Sequence, residues 1–327
     1  MKSQHENIRV QKFIVSIAIV LFAIKVIAWY LTQSVAILTD ALESIVNVVS
    51  GIIGLISLTI AARPRDESHP YGHGKIEFIS AGIEGTLILI AGFFIIYTAI
   101  ISFVEPPELE QLNWGIGIIS FSALVNYGFG TWAYRTGNRN NSLALMASGR
   151  HLQTDTYTTL GIILGLFLIS FTDAIWLDGA VAILFALFII RMGYKILRRA
   201  IAGIMDESDQ KLLREMVGYL QENRQRNWVD LHNLRIVKYG SVLHIDCHLT
   251  LPWYFNIKQG HDETDNLEEL ILEKFGSRIE LNVHTDYCHD FSCPLCDITD
   301  CKVRKAPYDG EVEWTVENVV SKDKHRL

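Results

Sequence analysis

Hydrophobic positions along the chain fall into two regimes. From Phe13 to about Leu197 they form long runs separated by short polar segments. From Met205 onward they recur singly, at helical or strand spacing. A bilayer core of ~30 Å takes about 20 apolar residues in a helix. On that ruler the first regime predicts six spans, near 11–31, 34–62, 77–104, 113–137, 143–171 and 174–197. In the second regime Leu212, Leu213, Met216, Val217 and Leu220 share one helical face, with Ser208 the expected cap. Two strands follow around a Tyr239-Gly240 turn. In the second strand Leu243, Ile245, Cys247, Leu249 and Leu251 alternate with His244, Asp246, His248 and Thr250, so the first set should be buried and the second outward. A helix from about Ile257 to Phe275 and a strand in RIELNVHTD complete an α-β-β-α-β order, and alternating Val312, Trp314 and Val316 predict one more strand. The expected fold is a membrane α-helical bundle of six transmembrane helices (1–204), then an α+β domain (205–287) and a cysteine-rich extension (288–327).

Charge orients this arrangement. Segments 31–34, 104–114 and 170–177 hold no Lys or Arg, whereas Arg9, Lys12, Arg63, Arg65, Lys75, Arg135, Arg139, Arg150, Lys195, Arg198 and Arg199 flank the spans on the other side. Lysine and arginine bias sets orientation, not the net charge of −7. Both termini and the α+β domain are therefore expected in the cytoplasm, with the spans in the cell's inner membrane. No small-residue cleavage site follows the first apolar run, which reads as a retained span. No concentrated basic patch points to a nucleic-acid partner.

Polar residues interrupt two of the spans. In LTDALESIVNVVSG, Asp40, Ser44 and Asn47 make one helical stripe with Glu43 beside it, and in SGRHLQTDTYTTLG His151 and Asp155 are four apart on one face. A lone acid at the centre of a span costs roughly 2.5–3.5 kcal/mol, so it calls for a partner or a water-filled path. Serine, asparagine and threonine serve as interhelical packing groups as well. A histidine and two carboxylates from two helices can bind a divalent transition metal and take up protons when it leaves. A further group, Asp66, His69 and His73, lies in RPRDESHPYGHGKIEF, where Pro64, Pro70, Gly72 and Gly74 mark a loop. It can close around an ion or simply be solvated.

DALES in the second span, HPYGHGKIE in the loop after it and His-x3-Asp in the fifth span resemble the cation diffusion facilitator family, and the resemblance runs from the first span to about Asp286. It implies a homodimeric transporter, not an enzyme. Such a protein would export divalent metal from the cytoplasm in exchange for protons by alternating access. A metalloenzyme is further disfavoured by the lack of an H-E-x-x-H motif. The implied transport site is Asp40, His151 and Asp155. Where the family often has a second Asp this chain has Ser44, so Ser44, Glu43, Asn47 or a water completes the coordination. Zn²⁺ is the expected ion, with Fe²⁺, Mn²⁺ and Co²⁺ left open. The resemblance also makes Asp66, His69 and His73 a loop metal site, and His232, His248, His261, His284 and Asp286 ligands in the cytoplasmic domain. The competing reading is a membrane-anchored cytoplasmic metal sensor, which would need no charged path through the spans.

All five cysteines lie in the last third of the chain. Cys288, Cys293, Cys296 and Cys301 follow a C-x4-C-x2-C-x4-C spacing that suits four-thiolate zinc in a reducing compartment, or a redox role for Cys293 and Cys296.

Overall fold

The computed structural model describes residues 2–32, 35–102, 113–172, 176–240, 242–276 and 279–326. The chain divides into two compact units, 1–205 and 206–327.

The first unit is six long helices: α1 (Lys2–Thr32), α2 (Val35–Ala61), α3 (Ile76–Ser102), α4 (Asn113–Arg139), α5 (Leu143–Thr172) and α6 (Trp176–Ile204). Among the described residues three stretches are long and apolar enough to cross a membrane, Ser3–Ile27, Ile76–Ile101 and Ala180–Ile204. Helices α2, α4 and α5 carry the polar content. The first helix begins well before the predicted span, because the polar N-terminal turns have buried partners. Asn140 Nδ2 donates to Asn7 Oδ1 (2.6 Å) and to Glu6 Oε2 (3.0 Å).

Small residues let the helices approach, as they must where lipid is as apolar as the side chains. A Cβ on Gly149 of α5 would stand 2.6 Å from Tyr134 N of α4, and one on Gly193 of α6 would stand 3.0 Å from Gly85 O of α3. A buried hydrogen-bonded line joins four helices. Gln11 Nε2 donates to Gly51 O (3.0 Å) and Ser148 Oγ (3.1 Å), and Ser148 Oγ donates to Glu84 Oε1 (2.7 Å).

The second unit follows the α-β-β-α-β order with α7 (Gln210–Glu222), β1 (Asp230–Tyr239), β2 (Val242–Leu251), α8 (Ile257–Phe275) and β3 (Ile279–Tyr287). The sheet order is β1-β2-β3, antiparallel between the first pair and parallel between the second. Leu213, Met216, Val217 and Leu220 of α7 pack with Leu231, Ile236, Ile245, Cys247, Leu249, Leu267 and Ile271 into one core. Burial of such side chains contributes roughly 1.5–3 kcal/mol each.

Three expectations need correction. Asp209, not Ser208, caps α7, accepting from the Lys211 and Leu212 amides, while Ser208 Oγ donates to Ile236 O. A carboxylate there also gains Lys238, whose Nζ donates to Asp209 Oδ2 (2.6 Å). The expected last strand is instead a short helix, α9 (Val316–Val319), with Trp314 and Val319 buried in the core. On β2, His244 and Thr250 are buried, not outward. On that face of the central strand, cover reaches these two positions while Asp246 stays exposed. His244 lies against the Tyr239 ring and 3.3 Å from Glu280. Thr250 lies between Asp230 and Asp286 on the neighbouring strands, and both carboxylates are covered by the chain's last residues.

Candidate metal centres

Three polar clusters emerge, each built by a different element. The first joins α2 to α5. Asn47, on the polar stripe of α2, faces one turn of α5, where His151 and Asp155 are neighbours at i, i+4. Its Oδ1 accepts from His151 Nε2 (2.9 Å), and its Nδ2 donates to Asp155 Oδ2 (2.6 Å). Thr158 and Thr159 turn their hydroxyls back to the Asp155 carbonyl. Ser44, one turn before Asn47, is buried and accepts from Lys25 Nζ of α1 (2.8 Å). The side chains of Asp40 and Glu43 lie outside the described residues. The cluster offers imidazole, carboxylate, amide and hydroxyl donors, which suit first-row divalent ions. Lys25 was missed in the sequence because a lysine near a span end ordinarily reaches for the interface.

The second cluster is the loop between α2 and α3. Asp66 sits between two imidazoles, with Oδ1 3.0 Å from His69 Nδ1 and Oδ2 3.2 Å from His73 Nε2. The loop closes because the His69 amide donates to Asp66 Oδ1 (2.7 Å) and Gly72 takes φ +85°. The His69 hydrogen bond holds the Asp66 carboxyl below its ordinary value against slight desolvation. The three ligand atoms lie within 4.8 Å of one another, close enough for one ion.

The third cluster comes from strand register. His232, His248 and His284 pair across β1, β2 and β3, and Asp230, Thr250 and Asp286 form the parallel row two residues away. Period-two alternation puts both rows on one face. His232, His248 and Asp286 offer ligand atoms within 4.8 Å of one another. Asp286 Oδ2 is 3.1 Å from His248 Nδ1 and 3.4 Å from His232 Nε2. His284 is at the exposed rim, its ring 4.6 Å from that of His248 and its Nε2 3.9 Å from Asp286. His261 stands apart and pairs with Asp265 at 3.7 Å.

The C-terminal tail completes this third site, which sequence reading did not anticipate. A β-bulge after His232 frees the Asn233 amide to donate to Ser321 O (2.6 Å). The tail then lays Lys324 Nζ 3.3 Å from Asp286 Oδ1 and His325 against Asp230. Lys322, Asp323, Lys324 and Arg326 share with His232, His248 and Asp286 the lining of an open cavity of about 750 Å³. Burial pushes the Asp286 carboxyl up, but Lys324 and the His248 hydrogen bond outweigh it and hold it below its ordinary value. Burial likewise opposes Asp230, and its hydrogen bonds to His232 and His325 pull it well below the carboxylate range.

The extension folds around Arg304, whose guanidinium donates to the carbonyls of Cys293, Cys296, Ile298 and Ala306. The Trp253 amide donates to Cys288 Sγ and the Lys305 amide to Cys293 Sγ, both at 3.4 Å. All five cysteines are free thiols. Among the described residues no three of the sulfurs of Cys288, Cys293, Cys296 and Cys301 lie within 4.8 Å of one another. Burial pushes the Cys247 thiol up to about 12, which makes it an inert core group.

A unit of long helices, three of them apolar enough to cross a membrane, is thus followed by an α+β domain, and both carry clusters of residue types that can bind a metal ion. The comparisons agree. Residues 12–205 match the cation efflux transmembrane domain and residues 215–288 the cation efflux protein cytoplasmic domain. The chain belongs to this cation efflux, or cation diffusion facilitator, family, whose members are transporters and not enzymes. It is 33% identical over 80% of its length to an uncharacterized transporter of Synechocystis, of which 85% is covered. It is 27% identical to the manganese efflux system protein MneP of Bacillus subtilis, covering 88% of this chain and 98% of that one. It is also 27% identical to the cation-efflux pump FieF of Pectobacterium carotovorum, over 83% and 89%.

Proposed function

We propose that the protein exports a divalent transition-metal cation from the cytoplasm in exchange for protons, working as a homodimer by alternating access in the inner membrane with both termini cytoplasmic. The observation that carries this reading is the α2–α5 junction, where Asn47 bridges His151 and Asp155 inside the helical membrane unit. Asp40, His151 and Asp155 are the transport ligands, with Asn47 positioning the last two and supplying an amide oxygen. Metal ligands bind deprotonated, so release of the ion and uptake of protons are linked at the same groups. Zinc is the first candidate cargo. Manganese is the runner-up: carboxylate and carbonyl oxygen donors suit it, and one relative is named for manganese efflux. Iron and cobalt follow.

The loop and strand clusters are regulatory ion sites. Metal at His232, His248 and Asp286 reports cytoplasmic load and biases the dimer. The test is uptake by sealed vesicles containing the purified protein, with Zn²⁺, Mn²⁺, Fe²⁺ and Co²⁺ offered under an imposed pH gradient. Uptake of an ion that stops when the gradient is collapsed is the expected result. Binding without flux of any ion would replace the exporter by a membrane-anchored metal sensor.

A further inference from the structure

One cation inside the helical unit has no part in the transport reading, yet it touches the same cluster. Lys25 lies toward the C-terminal end of α1 and is 6% exposed. A lysine in that position ordinarily extends its ammonium to the membrane surface. Here the side chain turns inward and its Nζ donates to Ser44 Oγ of α2 at 2.8 Å, and Ser44 is itself only 4% exposed. Ser44 and Asn47 are three apart on α2 and share a face. Asn47 in turn holds His151 and Asp155. Helices α1, α2 and α5 thus seat the Lys25 ammonium on the α2 face whose next polar residue, Asn47, holds the imidazole and carboxylate that would take the ion.

We propose that Lys25 is a resident cation of the transport site, seated on Ser44, whose charge opposes the incoming divalent ion and sets the affinity at which it is held and released. The inference rests on the reading of Asp40, His151 and Asp155 as transport ligands. A hydroxyl at position 44 contributes no charge of its own, and the ammonium it holds adds a positive one. The site therefore attracts a divalent ion less strongly than its carboxylates alone would. An exporter must let its cargo go on the far side, and a like charge fixed beside the ligands serves that need without removing any of them. The role belongs to charge and position, not to proton transfer, and Lys25 acts on the ion through space.

The experiment measures ion uptake against concentration in sealed vesicles, with Zn²⁺ as the first probe, for the intact protein, Lys25→Met, Lys25→Gln, Lys25→Arg and Asp155→Ala. A like charge beside a cation site weakens the hold of its ligands on the ion. Lys25→Met and Lys25→Gln should accordingly lower the KM and reduce the maximal rate, because release becomes slow. Lys25→Arg, which keeps the charge, should stay close to wild type. Lys25→Gln can still donate to Ser44, so wild-type kinetics in that variant would assign the effect to the hydrogen bond and overturn the proposal. An unchanged or raised KM in Lys25→Met, with flux abolished in Asp155→Ala, would also overturn it and leave the transport site standing. Full flux in Asp155→Ala would instead remove the transport site, and the proposal with it.

Discussion

Asn47 on α2 donates from Nδ2 to Asp155 Oδ2 on α5 at 2.6 Å. The same amide accepts from His151 Nε2 at 2.9 Å, so one side chain fixes two candidate ligands that stand one helical turn apart. Groups that orient metal ligands typically matter by 10–100-fold in affinity or activity. Asn47→Ala should raise the KM for the transported ion by roughly tenfold or more on that scale. Asn47→Asp adds a carboxylate and should lower the KM while slowing turnover. Concentration dependence of uptake in vesicles checks both. Equal kinetics for Asn47→Ala and wild type would show that His151 and Asp155 need no bridge.

At the strand cluster, Lys324 and an incoming ion compete for one carboxylate, since Asp286 faces His232 and His248 through Oδ2 and Lys324 through Oδ1. Lys324→Ala should tighten zinc binding there by about tenfold, the lower end expected for removing a like charge at such range. Asp286→Ala should abolish that binding. Titration of the full-length protein against a chromophoric chelator measures both. A Lys324→Ala affinity equal to wild type would show that the tail only covers the site.

The thiols of the extension should bind a soft divalent ion together. Backbone amides already point at Cys288 and Cys293, and Arg304 ties the loop between Cys293 and Ala306. Co²⁺ added to the reduced full-length protein should give near-ultraviolet thiolate-to-cobalt absorption that Cys296→Ser removes. Ordinary alkylation of all four thiols with cobalt present would contradict this.

Asp209 carries a stability prediction. It caps α7 and pairs with Lys238, and removal of such a cap costs about 0.5–2 kcal/mol. The ion pair is 36% and 40% exposed, so little should be added for it. Asp209→Ala should speed hydrogen exchange of the α7 amides in the full-length protein. Burial raises the Asp209 carboxyl, but the Lys238 and backbone hydrogen bonds hold it below its ordinary 3.8. Its contribution is therefore complete above that value and fades as pH falls through the depressed one, so wild type and Asp209→Ala should converge in acid. A constant difference at every pH would exclude this cap as the cause.

What the sequence could tell depended on how far each signal reaches along the chain. Six helices were legible because each run is long, three of them apolar enough to cross a membrane, and His151 with Asp155 because four residues make one turn of a single helix. The alternation on β2 gave its core face correctly. It could not foresee burial of Thr250, which depends on a tail some seventy residues later in the chain. The row of His232, His248 and His284 is a matter of strand register, and register is set by pairing partners that no single strand displays. Asp230 and His325 meet across 95 positions. Alternating Val312, Trp314 and Val316 resembled a strand because α9 has only four residues, too few to express a helical period. Lys25 was hidden for the opposite reason: its position has a familiar explanation, and only its contact with Ser44 rules that explanation out.

The most direct measurement compares the intact protein with Asp155→Ala in sealed vesicles under an imposed pH gradient, following uptake of the ion that the intact protein carries. The account predicts gradient-driven uptake by the intact protein and none by Asp155→Ala, with metal still bound at His232, His248 and Asp286 in both. Undiminished uptake by Asp155→Ala would contradict it, and would move the transport path away from the α2–α5 junction.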